Sequence, residues 1–563
     1  MNTKNKPVKI KYRGAVLIMV MILLVVCSTF AISIAAISRS NIEIASNQHK
    51  INAALSAAQS GLECCKFFIA TLDLPTTNKN YISRSEANRV WNILCEQLRS
   101  TALDGKLIRP PSHFSDKAGN GDQILTTNLS YAADNTSFKL RFYRYDGDPN
   151  IIKFESTGVC GETFQQVNMD LKITKSNKIL NYAVASRGRI WLTGDARIHG
   201  DVFSAWTRTD VSPYNMTSNS AVFGTINTVL TLDQIVCQSY RLETLNSSGV
   251  PVNNDLLPLG CNYGDRYYET TDNIKAYHEG INYGKSSSRI PGLSLADYDT
   301  DMYNSGLRNI EECPPSKREV EYFPHAPGNY NCPRDGTDAN TWNMKFYRHV
   351  YENRTFKNVR LPANRNALFR NCTFKEVLYI DCNKNAIGYY NNVRFENCTF
   401  NGIIVTDVPQ KLEWQCNCLY FTGEAKFENT SGIREASILA PNFNINFGNT
   451  NPDKKEYNIL KGVIIGGVVD IRGSAEIHGT IISMCDTTQW PSGYVTNIGA
   501  TLEDGGSETA ELGRIGVINI TPDKNQMLPD GIKTPIVVKN LQETYSEGQV
   551  TTSIKRELHY IVW

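Results

Sequence analysis

From Ala15 to Ile37 the chain runs for 23 residues without a charge, AVLIMVMILLVVCSTFAISIAAI. Only Cys27, Ser28, Thr29 and Ser33 in it are not plainly apolar. At 1.5 Å rise per residue this makes roughly 34 Å of helix, enough to cross a bilayer core of about 30 Å. A cleavable secretory core is shorter, about 7–15 residues, and a buried helix of a soluble protein rarely tolerates so long a run. Lys4, Lys6, Lys9, Lys11 and Arg13 precede it with no acid among them, and Arg39 alone follows it directly. That bias puts the N-terminus in the cytoplasm and everything after Ser40 on the far side of the membrane.

What lies beyond the run is large. A chain of 563 residues exceeds one ordinary core, so two or three domains are expected. Apolar residues at 41% and charged residues at 20% fit an ordered protein. Outside the five leading cations, 53 basic residues face 56 acidic ones, which offers no electrostatic footprint for nucleic acid. All of the 15 cysteines but Cys27 lie beyond the span, which fits an oxidising far side where disulfides persist. No CxxC pair occurs; Cys64 and Cys65 are adjacent, Cys416 and Cys418 flank one residue, and neither spacing suits a metal site.

The helical character continues past the membrane. Ile51, Leu55, Ala58, Leu62, Cys65 and Ile69 recur at alternating spacings of four and three, with Asn52, Gln59, Ser60, Glu63 and Lys66 between them. No proline interrupts the chain from Ala15 until Pro75. The pattern predicts one long helix, apolar all round over 15–37 and amphipathic over 38–75, whose stripe packs on the domain that follows.

A basic leader ending in Gly14, the apolar run and then NQHKINAALSAAQSGLECC resemble the N-terminal region of PilX-type minor pilins, from Met1 to about Ala70. That family carries an A-L-x-A-A-E-x-G-L-like segment, matched here by Ala54 to Leu62 with Gln59 where glutamate is usual. The resemblance implies that a prepilin peptidase removes the leader 1–14 by cutting between Gly14 and Ala15, and that the apolar helix is kept. It implies an inner-membrane protein whose partners are other pilins or pseudopilins, packed on that helix in a type IV pilus or a type II secretion pseudopilus. Met19 stands where pilins usually carry a glutamate, which points to a minor, initiating or tip subunit.

Downstream, Phe138, Leu140 and Phe142, and again Val167, Met169, Leu171 and Ile173, fall at every second position, the half-buried strand pattern. GVCGET reads as a turn between two strands. A long helix laid on such a meander is the pilin-like α+β arrangement, expected over 76–175.

Two later stretches, far apart in the chain, match without gaps: IWLTGDARIHGDVFS from Ile190 and VDIRGSAEIHGTIIS from Val469. A second repeat, FRNCTF from Phe369, recurs one short period later as FENCTF from Phe395. Alternating short strands with glycine corners and this period read as a parallel β-solenoid over 184–204 and 346–486, with 487–563 as its β-rich tail. Residues one coil apart stack, so Cys372 is expected over Cys398 and Asn371 over Asn397, with Phe369, Phe374, Phe395 and Phe400 inside. KNVRL from Lys357 and NNVRF from Asn391, which precede the two repeats, are offset by more than that period, which suggests coils of unequal length.

Between 205 and 345 the pattern lapses into a decorated insertion. Cys313 and Cys332 bracket a Pro-rich loop there and are the expected disulfide. Asp297, Asp299 and Asp301 have calcium-loop spacing, but Met302 and Arg308 replace the glycine and the acid such a loop needs. They read as a solvated acidic loop.

The expected fold is mainly β with an N-terminal α-helix, a pilin-like α+β part followed by a parallel β-helix head. The expected role is structural, without catalytic residues, metal or cofactor. One rival is a membrane-anchored β-helix carbohydrate-active enzyme. Against it, Glu376, Asp381, Asp407, Asp470 and Glu476 look scattered along the repeat, and His199 and His478 share one repeat slot. Another is a surface adhesin outside any filament, whose Tyr-rich insertion offers stacking faces to a polysaccharide.

Overall fold

The computed structural model of the chain describes residues 13–100, 102–103, 106–107, 112–115, 123–127, 136–145, 147–192, 195–209, 213–216, 220–231, 234, 277–278, 281–287, 290, 292–321, 346–382, 391–410, 412, 417–428, 436–447, 458–471, 473–486, 495–499, 517–523, 526–547 and 550–552. It divides into two compact units. The first comprises 1–74, 82–174 and 537–563; the second comprises 75–81 and 175–536.

The first unit is built on helix α1, Arg13–Ala70, which runs for 58 residues without a break. Its length is about 87 Å at the standard rise. Every residue from Gly14 to Lys50 is exposed, and burial begins only beyond it. Helix α2, Arg84–Ser100, is capped by a reciprocal box: Ser83 Oγ accepts from the Glu86 N–H at 3.3 Å, and the Ser83 N–H donates to Glu86 Oε2 at 2.8 Å. Ala87, Val90, Trp91, Leu94 and Cys95 form its buried stripe.

An antiparallel meander joins them. Thr136–Arg144 pairs with Ile151–Cys160, which pairs with Thr163–Lys175 across a two-residue turn. Gly161 takes the left-handed conformation there, φ 62°. The alternation read in the sequence matches the burial: Leu140 and Phe142, Ile152 and Phe154, and Val167, Met169, Leu171 and Ile173 all point inward.

The second unit is a stack of parallel coils, each with three short strands on three sheets. Ala367–Arg370, Asn392–Glu396 and Cys418–Thr422 pair in succession on the first sheet. The sequence period is the register between successive coils there: Phe369 faces Phe395, and Asn392 faces Cys418. Thr373–Ile380 and Thr399–Thr406 pair along their whole length and bend from the second sheet into the third.

The interior is aromatic. Tyr351, Phe369, Phe395, Phe421 and Phe447 form one column, with successive centroids 5.1, 5.4, 5.1 and 4.4 Å apart. Phe356, Phe374, Phe400 and Phe427 form a second, with steps of 5.4, 5.2 and 4.4 Å, and the two columns meet edge to face. Such geometry adds about 0.5–1.5 kcal/mol per pair beyond burial. The corners are turned by residues in the left-handed region, where asparagine is tolerated best after glycine. Asn353, Asn371, Asn397 and Gly423 occupy one corner of successive coils, with φ of 53, 49, 52 and 64°. Asn371 Nδ2 donates to Asn353 Oδ1 at 3.3 Å along that ladder.

Two features differ from the sequence reading. KNVRL and NNVRF do not stack, because Val359 pairs with Leu378 while Val393 pairs with Ala367, on different sheets. The solenoid also extends into the stretch read as an insertion. Tyr214–Met216, Ala221–Val222 and Ile226–Thr228 stack on the preceding coil, and Tyr277–His278 and Ile281–Asn282 stack on that one. At the other end, Lys317–Glu321 caps Phe346–Glu352 in antiparallel pairing.

The order of the coils is not the order of the chain. Tyr182–Ser186 lies between Asp201–Ser204 and Ile481–Ser483, parallel to both. Its coil is completed by Val495–Ile498 and Val517–Thr521, which pair onward with Arg189–Leu192 and Asp195–Ile198. One coil is thus spliced from two distant parts of the chain, and winding continues across it. The two IHG copies, distant in sequence, stand two coils apart in space, with Asn519 between Arg197 and Glu476.

Candidate functional site

The feature of α1 that can act on other molecules is its bare half. Among the described residues it is the one helix long and apolar enough to cross a membrane. Val16 through Val26, Phe30, Ile32, Ile34 and Ile37 are exposed. Gly14 and Ala15 sit in its first turn, and among the described residues nothing beyond that turn lies within 4 Å of a Cβ built on Gly14. Met19 is exposed on the same surface.

The other half is held by the sheet of its own unit. Ala54, Ala58, Leu62, Cys65 and Phe68 are buried, while Ile51 and Leu55 are half-buried at the edge of that face. The packed face thus contains Ala58 and Leu62 of the expected stripe and adds Ala54, with Ile51 and Leu55 at its edge. Glycine sets how closely that face is approached. A Cβ on Gly158 would collide with the Ala54 carbonyl and the Ala58 nitrogen, so the strand touches the helix backbone itself. Gly61 lies likewise against Ser156, with Leu140 Cδ2 2.9 Å from where its Cβ would be. A reading of apolar spacing alone misses such a notch, because its residues are small rather than apolar.

On the head, the structure brings together carboxylates that look scattered in sequence. Asp381 and Asp407 follow Ile380 and Thr406, which pair in register, so they stand one coil apart. Arg360 Nε donates to Asp381 Oδ2 at 2.5 Å. Asp407 accepts from the Tyr379 hydroxyl at 2.8 Å and from the Cys382 N–H at 2.9 Å. Burial raises the Asp381 carboxyl above its usual range, against the pull of Arg360. Both carboxylates are thus committed to partners of their own chain.

The neighbouring wall is closed too. The outer face of the third sheet, with Tyr379, Ile403, Val405, Leu439, Ile465 and Ile482, is apolar and packs against Ile290, Leu293, Tyr298, Leu528 and Ile532. The acidic loop joins that cover: Asp297 Oδ2 accepts from the Gly292 N–H at 3.2 Å, and Asp299 Oδ2 accepts from Asn78 Nδ2 at 3.5 Å. His478 pairs with Glu476 at 2.8 Å, whereas His199 stacks on Phe223 with centroids 4.9 Å apart. Among the described residues no group of three or more His, Cys, Asp or Glu is arranged to hold a metal ion.

Cys372 and Cys398 are buried thiols at equivalent corners, donating to the Tyr351 and Phe369 carbonyls at 3.3 Å each. Burial pushes the Cys64 thiol up to about 11 and the Cys485 thiol up to about 12. Cys313 is a half-buried free thiol; its expected partner Cys332 lies outside the described residues.

No family model matches the chain, and the comparison with curated proteins gives no match. Among solved structures, the competence-associated pilin ComZ from Thermus thermophilus aligns at 12% identity over 88% of this chain and 98% of that one. The TM-score is 0.23, a value from which no common fold follows. The structure itself carries a long apolar N-terminal helix followed by mainly β units, one of them a parallel solenoid.

Proposed function

We propose that this protein is a membrane-anchored, minor pilin-like subunit of PilX type. Its helix inserts among those of other pilins or pseudopilins, and its solenoid head is presented beyond the inner membrane. The observation that carries this reading is the continuity of α1: one helix, bare and apolar at one end and clamped to a sheet at the other. A plain anchor needs only the span. A rigid helix twice that long fits a subunit that must transmit its position in a filament to a head. The work is structural rather than catalytic, a reading supported by the commitment of Asp381 and Asp407 to partners within the head.

Two measurements test it. N-terminal sequencing of the membrane-extracted protein should give Ala15, as prepilin peptidase processing requires. A start beyond Ile37 would mean a secretory signal, and an intact Met1 a simple anchor. Deleting the gene should impair piliation or secretion. Normal filaments and secretion, together with depolymerising activity of the purified protein on polysaccharides, would favour the enzyme instead.

A further inference from the structure

Arg354, Cys372, Cys398 and Ala425 stand in one column at a corner of successive coils. Their places follow from the register of the next residues, where Thr355 pairs with Thr373, Thr373 with Thr399 and Thr399 with Lys426. Cys372 and Cys398 are therefore neighbours on adjacent parallel strands, and their sulfurs lie within hydrogen-bond reach of each other. Such strands run about 4.8 Å apart, inside the Cα separation of about 4.4–6.8 Å that a disulfide accepts. Among the described residues no other two cysteines hold paired positions on neighbouring strands.

The surroundings make the two thiols unequal. A hydrogen bond from Cys398, and after it the adjoining Arg354, hold the Cys372 thiol below its ordinary value against the effect of burial, whereas burial drives the Cys398 thiol up. Cys372 is thus the readier thiolate, and Cys398 is the thiol held beside it. Each is 1% exposed, yet each directly follows an exposed asparagine, Asn371 or Asn397, at the turn itself. Local opening of that turn brings a sulfur to solvent without unwinding a coil. We propose that Cys372 and Cys398 are a redox pair that closes into a disulfide between adjacent coils of the head. The oxidant is itself a disulfide, of the kind an oxidising compartment supplies. The Cys372 thiolate attacks one of its sulfurs, forming a mixed disulfide and expelling a thiolate. The Cys398 thiolate then attacks Cys372 Sγ, which forms the inter-coil bond and expels the second half of the oxidant. The two cysteines lose two electrons and two protons, and the oxidant leaves as two thiols. The bond ties the coil of Phe369 and Phe374 to that of Phe395 and Phe400, which backbone pairing and ring stacking already join. This chemistry does not depend on assembly into a filament.

The test uses the full-length protein in detergent, first reduced and then exchanged into oxidised glutathione in mildly alkaline buffer. After quenching with N-ethylmaleimide, its peptides are mapped by mass spectrometry without reduction. A peptide pair joined through Cys372 and Cys398 should appear, and dithiothreitol should remove it. The oxidised protein should unfold a few degrees above the reduced protein, because the bond restrains the unfolded chain. That gap should vanish in Cys398→Ala, a residue the same column already carries at Ala425. Cys398→Ala should also trap glutathione on Cys372, whereas Cys372→Ala should leave Cys398 largely unmodified. Repeating the oxidation during refolding from urea removes slow access as an explanation of a negative result. Both cysteines recovered as maleimide adducts in both procedures, with no joined peptide, would overturn the pair. A joined peptide without a rise in the unfolding temperature would overturn the fastening of the coils, and glutathione trapped on Cys398 in preference to Cys372 would overturn the order of attack.

Discussion

Phe400 lies over Phe374 with ring centroids 5.2 Å apart and planes 7° from parallel, one coil further along the solenoid. Each ring also meets Phe395 edge to face, at 5.7 Å for Phe374 and 5.2 Å for Phe400. Removing a ring from the middle of this column leaves a cavity that neighbours on both sides are too regular to fill. Phe400→Ala should therefore cost about 3–5 kcal/mol, and Phe400→Leu clearly less. Denaturant melts of the two variants check this; a loss below about 1 kcal/mol for the alanine would mean the column can collapse.

The corner ladder predicts an unusual order of substitutions. Asn397 has φ 52° and its Oδ1 accepts from the Glu424 N–H at 2.9 Å. Glycine loses that hydrogen bond but keeps the conformation, as Gly423 does one coil on. Valine loses both, with a backbone penalty of about 1–2 kcal/mol. Stability, read from denaturant melts, should fall from wild type through Asn397→Gly to Asn397→Val, the reverse of what strand propensity predicts.

In the first unit, Gly158→Val should part the strand from α1, since its side chain has no room beside the Ala54 carbonyl. Overpacking of this kind costs about 1–3 kcal/mol. Protease sensitivity after Lys66 should rise. Unchanged protection would show that the helix can ride out over the strand.

On the bare half of the helix, Leu24→Asp should abolish membrane integration or incorporation into filaments. A carboxylate at the centre of a span costs roughly 2.5–3.5 kcal/mol on the insertion scale. Membrane fractionation and immunodetection in sheared filaments measure the two steps separately. Normal levels in both would disprove the assembly role of this surface.

Breaking the chain between Glu321 and Phe346 with an engineered protease site should leave the head in one piece. Ile481–Ser483, Val495–Ile498 and Val517–Thr521 pair in parallel with Tyr182–Ser186, Arg189–Leu192 and Asp195–Ile198 across the splice. The fragments should co-elute after cleavage in native buffer. Separation without denaturant would show these pairings to be weak.

What can be read from the sequence is whatever repeats locally or at a fixed spacing. The apolar run, the alternation of Leu140 and Phe142, the recurrence of Phe369 as Phe395 and the two IHG copies all have that character. The splice has none of it: nothing in Tyr182–Ser186 records that its neighbours are Asp201–Ser204 on one side and Ile481–Ser483 on the other. Parallel pairing between distant segments leaves only strand composition behind. The close approach of strand to α1 at Gly158 and Gly61 leaves no mark in the apolar stripe, because the residues that permit it are small rather than apolar. Asp381 and Asp407 look scattered because a whole coil of sequence amounts to one strand spacing in space.

The mid-stack splice also sets how the head would bear a pull. The segments that join it to the rest of the chain are clamped together: the Ser176 N–H donates to the Pro535 carbonyl at 2.8 Å, Ile536 N–H to Pro75 at 2.8 Å, and Gly531 N–H to Asn78 at 2.7 Å. Tension drawn along the chain reaches this clamp first and then the spliced coil, which is braced by a paired strand on either side. The end coils hang outside the load path and stay slack. A force–extension trace should therefore show one large rip at the middle of the head, in place of the sawtooth of coils peeling from a free end.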